Sequence, residues 1–527
     1  MLNNLLAVKK GLRKTQEVHE TNKRFPYLLV IPIALALGLS LQNLGSDSLW
    51  LDEAWSVAIA NLDWRHFSSY VSHRELNMAL YYAVLKLWVY PCGDSESAAR
   101  ALSVVFSVCA IVMVYLIAVR LFDRRVGLAA SLILATNAYA IQYSQEVKGY
   151  TLYLFLATAS YYFFIDVLRN PRRTPCVLYV SVSALMVYNH FFGLLVLVSQ
   201  GVLVPLFLQE KGRWRRMFLC AFFIAVLVAP VGLFIYANGG GYVLGWVRRP
   251  SFWSFVELFG RLSGDSGSRT ILLAYFVFGV LSLVFLVEDL HKSGRQGTFS
   301  KHYALLLGWM LIPIAIAFAF SVAAKPVFVS RYLMASLAPL VILVAIGLSR
   351  IRNPILYRLA VCGFAVLSVN SVYQGYYRTH KDDWRSATKY VLEHSIPGDG
   401  VILYGPSAKF PFEYYYSKLR TNRGTLDCIY PSPFGLRDIL DVPATGLLKA
   451  ISGRRDRVWC VLWNDVLPGV GWDSRPALKE LKETHLVEDE AEFRGIRILL
   501  FVKRGAGQRI EASWIGEAAT SAERSGK

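Results

Sequence analysis

Between residues 25 and 373 the chain passes through about eleven apolar stretches, centred near residues 34, 108, 134, 159, 182, 200, 226, 279, 312, 341 and 364. Each approaches the ~20 residues that a helix needs to cross a hydrocarbon core. In lipid every backbone N–H and C=O must find its partner within the protein, which leaves only helices and closed barrels, and continuous runs of this length select helices. The composition agrees: 55% of the 527 residues are hydrophobic, only 18% are charged, and the mean hydropathy is +0.39, too much apolar surface for one soluble globule.

A formal charge of +19 would suggest a nucleic-acid partner in a soluble chain. Here the basic residues gather in short loops between the apolar runs, at 120–125, 169–174, 210–216, 288–302 and 350–358. These are alternate loops, as the positive-inside rule requires of the cytoplasmic side, so the charge reports topology and no nucleic acid is expected. The N-terminal stretch, with Lys9, Lys10, Arg13, Lys14, Lys23 and Arg24, lacks a cleavage site and reads as a cytoplasmic tail before an uncleaved first span. Segments 42–97, 237–269 and everything after residue 373 then lie outside. The first of these carries Trp64, Phe67, Tyr70, Tyr81, Tyr82, Trp88 and Tyr90 among charges, a mixture that suits interfacial helices acting as plain anchors or as the cap of a cavity.

Beyond residue 373 the patterning becomes that of a soluble α/β domain. Asp382 and Asp383 can cap a helix through DWRSATKYVLEHS, PGDG turns into the strand VILYG, and RVWCVLW and IRILLFVK are further strands with a helix through PALKELKETH between them. The expected organisation is a membrane domain over 1–377, an external domain over 378–504 and a disordered Gly/Ala/Ser/Glu-rich tail over 505–527. The seven cysteines form no CxxC and no Cys/His cluster, so no zinc or redox motif is supported; outside, Cys428 and Cys460 are the candidates for a disulfide.

Polar residues recur at the outer ends of the spans. Asp52 and Glu53 follow the first span in LWLDEAWSVA, Glu75 and Asn77 precede MALYY, Gln145, Glu146, Lys148 and Tyr150 lie in YSQEVKGY, His190 in YNHFFG, and Arg331 and Tyr332 follow KPVFVS. Ionisable groups at such depths face an internal cavity by default, and acids and bases converge here on one side of the membrane. Each also has a plain reading: Asp52 as a helix N-cap, Lys148 and Arg331 snorkelling to headgroups, His190 as a packed residue, Glu146 as the ion-pair partner of Lys148.

The order DE, then Asn77 before the LYY run, Arg100 in ESAARALSV, YSQExxxY, YxHFFG and RYL resembles the polytopic GT-C glycosyltransferases, in particular the dolichyl-phosphate-mannose protein mannosyltransferase and lipid A aminoarabinose transferase group. The resemblance covers most of residues 25–350, and KDDWRSATKY also resembles bacterial members. The chain departs from that pattern where Asn77-Met78-Ala79 replaces a His-Pro-Pro or Lys-Pro-Pro run, and where Lys148 replaces an Arg that would grip phosphate through a planar fork. The resemblance implies a GT-C-like helical fold in a bacterial inner membrane and a polyprenyl-phosphate sugar as donor. The acceptor hydroxyl would belong to a lipid, a glycan or a protein.

The residue types suit that chemistry. A hydroxyl attacking an anomeric carbon needs a base, for which Asp52 is the candidate with Glu53 beside it. A phosphate departs readily as an anion, so cations suffice to stabilise it: Lys148 and Arg331, and Arg100. Direct displacement would invert the anomeric centre. Glu75, Asn77, Gln145, Glu146, Tyr150, His190 and Tyr332 would orient the base, the sugar or the phosphate. No cofactor is implied and no metal-ligand cluster is evident. A transporter or lipid flippase with an external ligand-binding domain is the alternative, but it favours two matching halves or paired broken helices, and neither is present in the pattern.

Overall fold

A computed structural model describes residues 27–169, 172–208, 211–238, 247–267, 269–293, 298–404, 408–420, 426–430, 455–463 and 481–504. The first apolar run forms α1 (Val30–Leu41), and three short helices follow it: α2 (Leu51–Asn61), α3 (Trp64–His73) and α4 (Ala79–Cys92). The bundle continues through α5 (Glu96–Leu121), the bent pair α6 (Arg124–Thr136) and α7 (Ala138–Ser144), α8 (Tyr150–Arg169), α9 (Arg173–Asn189), α10 (Gly193–Leu203) and α11 (Lys211–Ala237). It closes with α12 (Trp253–Ser263), α13 (Thr270–Ser293), α14 (Thr298–Ala323), a 3-10 turn over Ser330–Ser336, α15 (Leu337–Ser349) and α16 (Pro354–Ser371). All eleven expected centres fall in helical segments. Among the described residues seven are long and apolar enough to span, eight with the bent pair; the runs near 34, 182 and 200 form shorter helices.

Polar caps mark where the chain leaves the apolar layer. Asp63 accepts from the N–H groups of Arg65 and His66, Ser95 from Ala98, Asp123 from Val126, and Asn353 from Ile355 and Leu356. The 59° bend between α6 and α7 has an identifiable cause in Asn137. Its extended backbone ends α6, its Oδ1 caps α7 at Ala140 N (2.9 Å), and its amide donates to Leu262 O (2.9 Å) and Tyr275 Oη (3.0 Å). This one residue aims α7, and with it the polar loop 145–149, at the side occupied by α2.

The aromatic helices after α1 are more than surface anchors. On α3, Phe67 and Val71 are buried while Trp64 stays exposed; on α4, Tyr81, Tyr82, Leu85 and Val89 are buried in the main core. Met78, the N-cap of α4, has φ +66° and is 4% exposed. A proline cannot adopt this φ, so the missing Pro-Pro run is incompatible with the backbone this chain takes here.

The soluble part is built from α17 (Trp384–His394), β1 (Gly400–Tyr404), α18 (Lys409–Leu419), β2 (Asp427–Tyr430), β3 (Arg457–Trp463), β4 (His485–Phe493) and β5 (Ile496–Lys503). The sheet order is β2-β1-β3-β5-β4, with β1 parallel to both neighbours and the β3-β5-β4 edge antiparallel. Alternation on β5 sends Ile496, Ile498, Leu500 and Val502 to the face that packs on Trp384, Val391, Phe412 and Tyr415. Gly495, at φ +76°, supplies the left-handed residue of the β4–β5 hairpin. The three strands and the capped helix read from the sequence are present, with Asp383 accepting from Ser386 N; the PALKELKETH helix is seen over its last turn, 481–484, and its earlier part and the 505–527 tail lie outside the described residues. The Cys428–Cys460 pairing is not supported. β1 lies between their strands, so at ~4.8 Å per strand their backbones stand about 10 Å apart, beyond disulfide reach.

This domain is seated on the segment after α1. Arg385 donates to Glu96 Oε1 (2.8 Å) and Gly45 O (3.0 Å), Tyr415 Oη accepts from Leu49 N (2.7 Å), and the rings of Trp55 and Phe410 are 4.3 Å apart. The soluble domain and the polar loops therefore share one side of the bundle.

Candidate active site

The acidic pair on α2 divides into two roles. Trp50, not Asp52, is the N-cap, and Glu53 at the third helical position reaches back to Trp50 N (3.4 Å). Glu53 is fully buried and forms a hub: Arg100 grips it with two 2.8 Å bonds, Lys381 of the segment leading into the soluble domain donates at 2.9 Å, and Val147 N at 3.1 Å. Burial pushes its carboxyl up, but Arg100 and Lys381 outweigh that and bring it down to about 2. Arg100 is saturated as well. Its remaining N–H groups donate to Leu44 O (2.8 Å), Asp47 O (2.9 Å) and Ser48 O (3.1 Å), so all five donors of the guanidinium are engaged. This corrects the expectation that Arg100 holds donor phosphate: its fork is spent on folding the loop that presents α2.

Asp52, one helical position earlier, keeps its carboxylate about one-third exposed, with Lys148 Nζ at 3.8 Å. Lys148 points inward at Asp52 and lies 5.9 Å from the Tyr82 ring centre, which excludes snorkelling. Its acidic neighbour is thus Asp52 rather than Glu146. Arg331, brought by the 3-10 turn before α15, stands within electrostatic reach of Asp52, Tyr150 and Tyr332.

The loop YSQEVKGY is pinned from behind. Gln145 donates to Ser40 O (2.7 Å) and Gln42 O (2.8 Å), and Ser103 donates to Glu146 O (2.6 Å). Close by, His190 is caged by Tyr150, Tyr153, Phe192 and Tyr332 at 5.1–6.1 Å between ring centres. Its Nδ1 accepts from Phe192 N (3.2 Å), an assignment that puts the proton on Nε2. Asn77 ties this segment to the first outer loop by accepting from Phe191 N (3.1 Å), and Glu75 lies within electrostatic reach of Tyr332. The structure therefore gathers Asp52, Lys148, Arg331, Tyr150, His190 and Tyr332. Glu53, Arg100, Gln145 and Asn77 are engaged in the hydrogen bonds that tie these loops together.

Two cavities flank α12. One, about 460 Å³, is lined by Arg248, Arg249, Arg261 and Arg331 together with Ser254 and Ser330. Glu257 lines it too and pairs with Arg261 at 3.1 Å, which leaves a net excess of three positive charges, suited to a phosphate; Arg331 links this space to Asp52. The other, about 870 Å³, is lined by Trp50, Tyr139, Glu146, Trp253, Asp265 and Lys381 among others. Burial raises the Glu146 carboxyl to about 7, against the opposing pull of Lys381. Sequence reading missed Arg248, Arg249, Arg261, Asn137 and Lys381. The Arg-Arg-Pro of residues 248–250 sat in an outer loop without helical periodicity, and Lys381 was read only as the lead-in to a capped helix; the KDDW string was the available signal.

Residues 79–234 match the family model described as dolichyl-phosphate-mannose-protein mannosyltransferase. In fold the chain is similar to ArnT of Cupriavidus metallidurans in the apo state, with a TM-score of 0.60 at 14% identity over 90% of this chain and 97% of that one. The same ArnT bound to undecaprenyl phosphate gives a TM-score of 0.55 at 15% identity, over 89% and 97%. A search of curated proteins finds no significant sequence match. The family match and the shared fold bear out the resemblance to the polytopic GT-C transferases, and with it the helical membrane architecture carrying a small α/β domain.

Proposed function

We propose that the protein is a membrane glycosyltransferase that moves a sugar from a polyprenyl-phosphate donor to an acceptor hydroxyl on the outer face of a bacterial inner membrane. The observation that carries this reading is the setting of Asp52: an accessible carboxylate 3.8 Å from the Lys148 ammonium and within electrostatic reach of Arg331, which also lines the arginine-rich cavity. The undecaprenyl phosphate bound by ArnT supports the donor class.

In the reaction the acceptor oxygen forms a bond to the anomeric carbon as its proton passes to an Asp52 carboxylate oxygen. The bond from that carbon to the phosphate oxygen breaks, and its electron pair leaves with the phosphate. Attack and departure on opposite faces invert the centre. Arg331, with Arg248, Arg249 and Arg261, neutralises the charge that grows on the phosphate, so no general acid is needed. Lys148, 3.8 Å from Asp52, orients that carboxylate and offers its ammonium to the phosphate; Tyr150, His190 and Tyr332 form one wall for the sugar. Glu53 and Arg100 hold α2 in place.

Neutral replacement of Arg331 or Lys148 should weaken binding of undecaprenyl phosphate, by on the order of tenfold for the loss of one charge-assisted contact. Equilibrium binding to the purified protein in nanodiscs reads this directly, and unchanged affinity in both variants counts against the assignment.

A further inference from the structure

At the end of the bundle away from the polar loops, a cavity of about 910 Å³ opens between α9 and α11. α9 runs from Arg173 to Asn189, beyond which His190 joins the candidate site, so the two ends stand roughly 25 Å apart. One end of the cavity carries three guanidiniums, Arg172 and Arg173 from the start of α9 and Arg216 from near the start of α11. The rest of its wall is largely apolar, with Val180 on α9 and Leu219, Phe223 and Leu227 on α11. The two helices are tied where it ends, by Tyr188 Oη donating to Leu227 O (3.0 Å).

Depth narrows the occupant. Leu219, Phe223 and Leu227 stay exposed on a helix that is long and apolar enough to span the membrane, so acyl chain lies against them and not water. From Arg216 to Leu227 the groove runs about 16 Å at ~1.5 Å per residue, about half of a ~30 Å hydrocarbon core and hence one leaflet deep. The acyl chains of a phospholipid match that depth, and the much longer chain of a polyprenyl phosphate exceeds it.

Charge narrows it further. Among the described residues that line the groove none is acidic, and the positive end of the α9 dipole adds to the three guanidiniums. Arginines that merely snorkel can point to any headgroup around the bundle. These three meet at the end of one apolar groove. A zwitterionic headgroup brings an ammonium along with its phosphate and gains little from such a cluster, whereas a headgroup of net negative charge gains from each arginine. We propose that this groove is a binding site for an anionic phospholipid, its phosphate held by Arg172, Arg173 and Arg216 and its acyl chains laid along the apolar wall, in the leaflet away from the candidate active site. Bound there, the lipid braces α9 against α11. This site does not depend on the glycosyl-transfer reading.

The test adds phosphatidylglycerol or phosphatidylcholine of matched acyl chains to the full chain purified in detergent, and reads bound lipid by native mass spectrometry and the midpoint of thermal unfolding. The wild type should hold phosphatidylglycerol on the order of tenfold more tightly than phosphatidylcholine and unfold at a higher temperature with it. Arg173→Gln combined with Arg216→Gln should remove that preference. Leu219→Trp fills the groove from an exposed position and leaves the charges alone; it should fold and hold phosphatidylglycerol less tightly. Undecaprenyl phosphate should not displace the phospholipid. Equal retention of the two phospholipids by the wild type, a preference that both variants keep, or displacement of phosphatidylglycerol by undecaprenyl phosphate overturns the proposal.

Discussion

Replacing Arg100 by lysine keeps the charge and most of the length, yet the structure predicts a costly change. The guanidinium serves five acceptor contacts: the two Glu53 oxygens at 2.8 Å and the carbonyls of Leu44, Asp47 and Ser48 at 2.8, 2.9 and 3.1 Å. An ammonium has three N–H groups, so at least two of the five lose their partner. Each buried acceptor left unpaired costs roughly 1–2 kcal/mol, which gives a destabilisation of about 2–4 kcal/mol. The loosened part should be residues 44–48, the turn that seats the soluble domain. Thermal unfolding of the purified protein, together with limited proteolysis in that turn, reads both effects. The affinity for undecaprenyl phosphate should stay at the wild-type level in the folded fraction. A variant of wild-type stability that binds undecaprenyl phosphate tenfold less well would refute the argument, because it would mean that the fork grips phosphate after all.

Two further outcomes follow from the charges around the hub. Glu146 sits at about 7 in the folded protein against an ordinary 4.5, so the folded state holds its proton longer than the unfolded one. Stability should therefore fall as pH rises from about 4.5 through 7, and Glu146→Gln should lack that slope in unfolding measured across the range; an identical slope in both proteins contradicts the burial argument. Lys381→Met removes the cation that opposes this shift and the 2.9 Å bond from the soluble domain to Glu53. The Glu146 titration should then move further up in the pH profile, and the soluble domain should become easier for a protease to detach, with Lys381→Arg restoring both; an unmoved titration would show that Lys381 does not act on Glu146.

Much of the membrane part was readable because lipid leaves the backbone few options: long apolar runs had to become helices, and the alternation of basic loops placed Asp52, YSQEVKGY and the soluble domain on one side. The soluble strands were readable for the ordinary reason that β5 alternates and RVWCVLW is bounded by turns. Sequence alone pointed to residues that the fold brings together into a candidate site, but not to the partners each one takes. Asp52 and Glu53 are adjacent in sequence and alike in chemistry, and only the three-dimensional partners separate them, Arg100 from 47 positions away and Lys381 from 328. The same holds for Asn137, whose short polar side chain reads as any turn residue until Leu262 O and Tyr275 are seen beside it. Met78 shows the converse case, since a residue of ordinary propensity takes a left-handed conformation imposed by its surroundings.

The claim on which the account rests is that Asp52 takes the acceptor proton during transfer from a polyprenyl-phosphate sugar. Proteoliposomes holding the wild type or Asp52→Asn, given a panel of undecaprenyl-phosphate sugars and a membrane glycolipid extract, allow the release of undecaprenyl phosphate to be timed. The wild type should release it with one of the sugars, and Asp52→Asn at a rate lower by a factor of about 10²–10⁴, with affinity for undecaprenyl phosphate and thermal stability close to wild type. Release by Asp52→Asn at the wild-type rate would contradict the claim.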